Sequence, residues 1–302
     1  MTETKNKRAE RKEGKIFFAD GTEESIPYGT VRISPNLDSD KRANVTSVVL
    51  PDGATVIESG AYSFGMNTYG AFQACRLLES IAFPDSIVEI GDYAFDGCEV
   101  LPELTLPDSI IKIGYRAFAA CSSLESIEIP DGVVELCADA FIGCNSLKSA
   151  DIPGSVNVIP DNMFSNCISL RSVNIGEGVT AIGARAFAEC MSLRSINIPG
   201  SVASIGVSAF YGCKTLRTVR IGNGTKTISQ AAFRGCSSLE SIYIPASVTE
   251  IDVDAFKDCV SLKEIHYGGS IISWMMMKKP LPGNEKLFGK KEERAKIHYG
   301  SK

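Results

Sequence analysis

Residues 193–215 read LRSINIPGSVASIGVSAFYGCKT, and this stretch decides the fold. Leu193, Ile196 and Ile198 have the spacing of a short strand, the last two alternating to one side. Pro199 and Gly200 end the strand, because proline donates nothing to a ladder. Val202 and Ile205 put a second apolar pair on the opposite wall, and Gly206 permits a tight bend. The spacing predicts about one and a half helical turns over residues 208–213, which would bring Ala209, Phe210 and Cys213 to one face. Lys214 and Thr215 return the chain to Leu216, where the next strand starts.

The same plan repeats in both directions. Phe72, Phe95, Phe118, Phe141, Phe164, Phe187, Phe210, Phe233 and Phe256 stand 23 residues apart. Each is followed three residues later by a cysteine, from Cys75 to Cys259. A fixed period of this length marks a solenoid, in which each coil stacks only on its neighbours. One coil cannot bury its apolar side alone, so stacking supplies the core and phenylalanine forms a column through it. The nine equivalent cysteines are expected as buried free thiols. Neighbouring strands lie roughly 4.8 Å apart, while a disulfide needs Cβ atoms about 3.8 Å apart on converging vectors. They also lack the paired spacing of a zinc site. Cys137, the tenth, occupies a position where other coils carry Gly91, Gly114, Gly183 or Gly206.

The pattern L-x-x-I-x-I-P-x-x-V-x-x-I-G-x-x-A-F-x-x-C-x-S over Val45 to Tyr267 resembles the BspA-type leucine-rich repeat. Ile265 to Gly269, Trp274, Asn284-Glu285 and Ile297-His298-Tyr299 resemble that family's C-terminal closing unit. The resemblance implies an α/β solenoid: a right-handed arc with a parallel β-sheet on its concave face, and short helical turns and extended segments elsewhere. It also implies adhesion or protein binding, mostly at microbial surfaces. Two features depart from the family. Leu50 to Phe83 spans 33 residues rather than 23, an insertion near residues 63–72 that holds Phe64, Met66 and Tyr69. The N-terminus lacks the apolar region of a secretory signal. That absence and the free thiols lead to an expected cytoplasmic location, with a cell-surface or secreted one implied by the family.

The expected organisation is a disordered charged tail (1–15), an N-terminal cap (16–44), about ten repeats (45–267) and a C-terminal cap (268–302). In that last cap a helix around residues 270–277 is expected to pack Trp274 and the methionines, although Met275 to Met277 also fit a partner site. The chain's formal net charge is −5, which does not suggest a nucleic-acid partner. Residues 1–15 carry six basic and three acidic side chains, and residues 271–302 carry eight and three. The remaining body has 17 basic and 30 acidic side chains. No apolar run is long enough to span a bilayer. The sequence leaves the oligomeric state open.

Function is expected where packing does not dictate the residue, on the outward positions of the concave strands. One column contains Glu125, Lys148, Arg171, Arg194, Arg217 and Glu240. A second is mostly serine. A third runs Glu128, Asp151, Asn174, Asn197, Arg220, Tyr243, His266. Lys148, Arg171, Arg194 and Arg217 form a basic stripe about 15 Å long at one residue per strand. With Arg220 and Tyr243 they are the candidate ligand-binding residues, suited to an acidic protein segment or an anionic glycan. A solvated edge that keeps the sheet soluble would look the same. Catalytic residues, metal ligands and cofactors are not expected. The two histidines have no accessible thiol partner, and glycine loops for phosphate and metal-ligand spacings are missing. The expected function is therefore a non-enzymatic binding scaffold. The alternative is an intracellular adaptor or spacer whose basic ends contact the partner.

Overall fold

The computed structural model describes residues 12–35, 37–63, 66–277, 283–289 and 294–301 of the 302-residue chain. They wind into a β-solenoid of about ten coils with few helices. Every full coil but the third contributes a first strand to the concave sheet, as in Ser149–Ile152, Ser172–Ile175, Ser195–Ile198, Thr218–Ile221 and Ser241–Ile244. The strands are parallel and in register one repeat apart, with Ile196 opposite Val219 and Asn197 opposite Arg220. Ile196 and Ile198 are buried while Ser195 and Asn197 face outward, the alternation a half-buried strand requires. A second ladder of two-residue strands, such as Ala181–Ile182, Ser204–Ile205 and Thr227–Ile228, forms the next wall.

The third wall is made of turns rather than the expected helical segment. Its backbone N–H groups alternate between two destinations. Those of Tyr93, Phe95 and Gly97 donate to Tyr115, Ala117 and Ala119 of the next coil, while those of Ala94, Asp96 and Cys98 close local turns onto Gly91, Tyr93 and Phe95. A helix would keep all of these bonds within the segment, so inter-coil bonding displaces it. The geometry requires left-handed residues, among them Tyr93, Arg116, Asp139, Asn162, Arg185 and Ser208, with φ between 53° and 58°. Glycine takes a second left-handed position four residues further on in some coils, Gly97, Gly143, Gly212 and Gly235, where others carry Ala74, Ala120 or Asn166. Gly206 has no positive φ, and its value lies in close approach: a Cβ there would sit 2.6 Å from the Gly183 carbonyl carbon.

Inside, the nine phenylalanine rings form one continuous stack. Neighbouring centroids are 5.1–5.7 Å apart and the planes lie within 17° of parallel. Offset-stacked rings at this separation attract by about 0.5–1.5 kcal/mol per pair beyond the area they bury. The cysteines run alongside, all free, with only Cys137 half-buried rather than buried. Their thiols also act as donors. Cys98 Sγ donates to the carbonyl of Phe72 at 3.3 Å, and the pattern continues coil by coil to Cys259 and Phe233 at 3.1 Å. Burial pushes the Cys144 and Cys213 thiols up to about 12.

The ends are closed differently. At the N-terminal end, Gly14–Phe18 pairs antiparallel with both Glu23–Ile26 and the first concave strand, Val45–Val49. Gly14 and Lys15, expected within the charged tail, are thus strand residues; residues 1–11 lie outside the described ones. The insertion forms a hairpin, Ala61–Ser63 against Met66–Thr68, and its expected Phe64 lies outside the described residues. Arg42, on the short helix Ser39–Asn44, is buried beneath this loop. Its guanidinium donates to the carbonyls of Leu37, Gly70, Ala71 and Gln73 at 3.0–3.3 Å and lies 4.8 Å from the Tyr69 ring. At the far end, Lys296–Tyr299 adds a parallel strand to Glu264–Tyr267.

Candidate functional site on the concave face

Position along the rod is set by the ladder. Glu125, Lys148 and Arg171 follow one another coil by coil: the Lys148 N–H donates to the Glu125 carbonyl at 2.7 Å and the Arg171 N–H to Lys148 at 2.9 Å. The Arg217 N–H likewise donates to Arg194 at 2.8 Å, and the Glu240 N–H to Arg217 at 2.9 Å. The strand ladder divides between Ser172–Ile175 and Ser195–Ile198, which remain neighbours. All four side chains of the basic stripe are exposed. Lys148 is partly neutralised by an ion pair with Glu125 at 2.7 Å. Arg171, Arg194 and Arg217 form no ion pair with a described residue. Arg194 and Arg217 line a shallow groove of about 310 Å³ with Thr215 and Ser238.

Up to three residues further along the strands lies a larger hollow of about 530 Å³. Asn197, Arg220, Tyr243 and His266 line it from successive strands, because Asn197 pairs with Arg220, Arg220 with Tyr243, and Tyr243 with His266. The Arg220 guanidinium sits 4.6 Å from the Tyr243 ring centroid, which holds the charge over the sheet rather than letting it swing free. The Tyr243 hydroxyl donates to the Ser301 carbonyl at 3.3 Å, so the chain's end forms one rim of the hollow. His266 stacks on His298 at 4.9 Å. His298 in turn contacts the Glu264 carboxylate, and this hydrogen bond holds Glu264 below the usual carboxylate range.

The six candidate residues therefore fall into two adjoining groups: the stripe Lys148, Arg171, Arg194, Arg217 and the stacked pair Arg220–Tyr243. The residues that sequence reasoning missed are those joined to the hollow by the closing strand, His298 and Ser301. The sequence between Tyr267 and Lys296 carries no repeat, which hides their register. Toward the N-terminal end the same face changes sign. A groove of about 620 Å³ lies there beside Asp108, Glu128 and Asp131. It opens where the third coil forms no concave strand, at Pro102, which has no N–H to donate.

Among the described residues no group of three or more His, Cys, Asp or Glu side chains is placed to hold a metal ion. No helix among them is long and apolar enough to cross a membrane.

Comparison with known proteins agrees with this geometry. The family model described as the BspA type leucine rich repeat region matches in six copies, over residues 67–190 and 159–275. No curated protein matches the chain. A leucine-rich repeat protein from Bacteroides ovatus is 22% identical, with 94% of this chain and 90% of that chain covered and a TM-score of 0.51. The pneumococcal vaccine antigen PcpA is 19% identical, with 95% of this chain and 76% of that chain covered and a TM-score of 0.52.

Proposed function

The chain belongs to the BspA-type leucine-rich repeat family, and we propose that it is a binding scaffold whose concave face takes an extended anionic partner. One observation carries this reading. Three exposed arginines, Arg171, Arg194 and Arg217, stand on successive coils without ion-pair partners among the described residues, on a body with 17 basic and 30 acidic side chains. What favours a site over a merely solvated edge is that one sign is gathered on consecutive rungs of a body that is acidic on balance. Arg220, fixed over Tyr243, extends the basic surface into the hollow, and Asn197, Ser195 and Thr218 add hydrogen-bonding groups there. The matching chemistry is a row of carboxylates or sulfates at strand spacing, as in an acidic protein segment or an anionic glycan.

The double substitution Arg171→Glu, Arg194→Glu tests it. Both side chains are exposed, so the variant should keep the wild-type circular dichroism and melting temperature. Its affinity for a polyglutamate peptide and for a sulfated glycan should fall about tenfold or more at low salt, and wild-type binding should itself weaken as salt rises. Equal binding by variant and wild type would remove the stripe from the site.

A further inference from the structure

The C-terminal cap carries an apolar surface that the expected packing of the methionines does not explain. The helix Ile271–Met276, capped by Ser270 accepting from the Ser273 N–H at 3.1 Å, has two unlike faces. Inward, Trp274 is buried against Tyr267 at 4.9 Å and Phe288 at 5.1 Å, and Met277 is buried just beyond the helix. Outward, Ile271, Ile272, Met275 and Met276 are 54%, 70%, 68% and 81% exposed. Their i, i+1, i+4, i+5 spacing gathers them on one side. Four large apolar side chains side by side on a single short helix are not scattered surface residues. Tyr299, also partly exposed, has its ring 6.5 Å from that of Tyr267.

The charge of the sequence that carries this helix selects the occupant. Residues 271–302 hold eight basic and three acidic side chains. Arg294 and Lys296 are exposed at this end. A second copy docking here symmetrically would bring two such basic segments together. An anionic bilayer surface instead satisfies both features: the apolar side chains enter the headgroup boundary and the basic residues meet the lipid charge. We propose that this end of the solenoid docks on an anionic lipid surface. The body carries 17 basic and 30 acidic side chains and its basic stripe offers no apolar residues to insert, so the cap is the part that docks. The rod, about ten coils at roughly 4.8 Å each, stands away with its concave face accessible. The inference does not depend on the concave ligand, and its test reads vesicles rather than that ligand.

The experiment is flotation of the full chain with vesicles of phosphatidylcholine alone or enriched in phosphatidylserine, for wild type and Ile272→Ser, Met276→Ser, with light scattering on both. Both substituted side chains are exposed, so the variant keeps its fold. The proposal expects wild type to float with the phosphatidylserine vesicles, weakly with neutral ones, and less at high salt. The variant's partitioning should fall about tenfold or more. Wild type that fails to float, or a variant that floats equally, overturns the proposal. A wild-type dimer that the variant makes monomeric, with no vesicle binding by either, assigns the patch to a second copy and also overturns it.

Discussion

Replacing Phe164 with alanine will lower the free energy of unfolding by about 3–5 kcal/mol. The ring is fully buried in the middle of the column, 5.7 Å from Phe141 and 5.6 Å from Phe187. Removing it loses the transfer energy of the side chain, leaves a cavity and breaks two ring contacts at once. The neighbours cannot collapse into the space, because each is held on its rung by backbone bonds to the coil on either side. Phe141 N–H, for instance, donates to the Met163 carbonyl at 3.1 Å and Phe164 N–H to Ala186 at 2.8 Å. The variant should also lose cooperativity, since a stack of coils is coupled only through nearest neighbours. Trp274, the single tryptophan, reports the C-terminal end alone. In urea its fluorescence transition should separate from the far-ultraviolet circular dichroism transition, whereas the two coincide in wild type. Loss of less than about 1 kcal/mol, the usual effect of a surface change, would mean that the column does not hold the coils together.

Arg42→Met will be nearly as costly, by about 3 kcal/mol or more. The guanidinium holds four carbonyls, three of which, those of Gly70, Ala71 and Gln73, belong to the segment that rejoins the insertion to the first phenylalanine rung. Burial pulls this side chain's pKa below its ordinary value, yet its charge is spread over several peptide dipoles rather than set against a carboxylate. Methionine fills much of the volume but supplies no donor to the Ala71 and Gln73 carbonyls, while that of Gly70 keeps only the Gln73 N–H at 3.1 Å. Hydrogen exchange should show the amides around residues 70–75 opening far more often than in wild type, with coils beyond Phe164 unaffected. An unchanged exchange pattern there would show that the insertion is held without Arg42.

Much of this architecture is legible in the letters because stacking forces equivalent residues into equivalent surroundings. Phe210 and Cys213 meet the same neighbours as Phe187 and Cys190, so the period survives wherever burial constrains the side chain. The same logic placed Arg220 beside Tyr243, one repeat apart in one column, and the structure puts the guanidinium 4.6 Å from the ring. What the sequence hid depends on backbone geometry or on unrepeated chain. Tyr93, Arg116 and Asp139 carry no glycine signature for their left-handed backbone, which the inter-coil hydrogen bonds impose. The thiol donors look like small hydrophobes, since their acceptor is a main-chain carbonyl of the preceding coil. Arg42 reaches partners 28 to 31 residues away, at the end of an insertion that no other coil shares and just beyond it. Met275 to Met277 have no internal period to say which faces inward. The helix assigns Met277 to the cap and leaves Met275 and Met276 exposed.

The most direct test of the solenoid is to count reactive thiols in the folded chain. Ten cysteines are present, nine of them buried and Cys137 half-buried. Iodoacetamide at mildly alkaline pH, with mass spectrometry of the intact protein, should add at most one label, on Cys137, until denaturant is present. All ten should then react. Labelling of several column cysteines such as Cys144, Cys167 and Cys190 in the native protein would contradict a continuous stacked core.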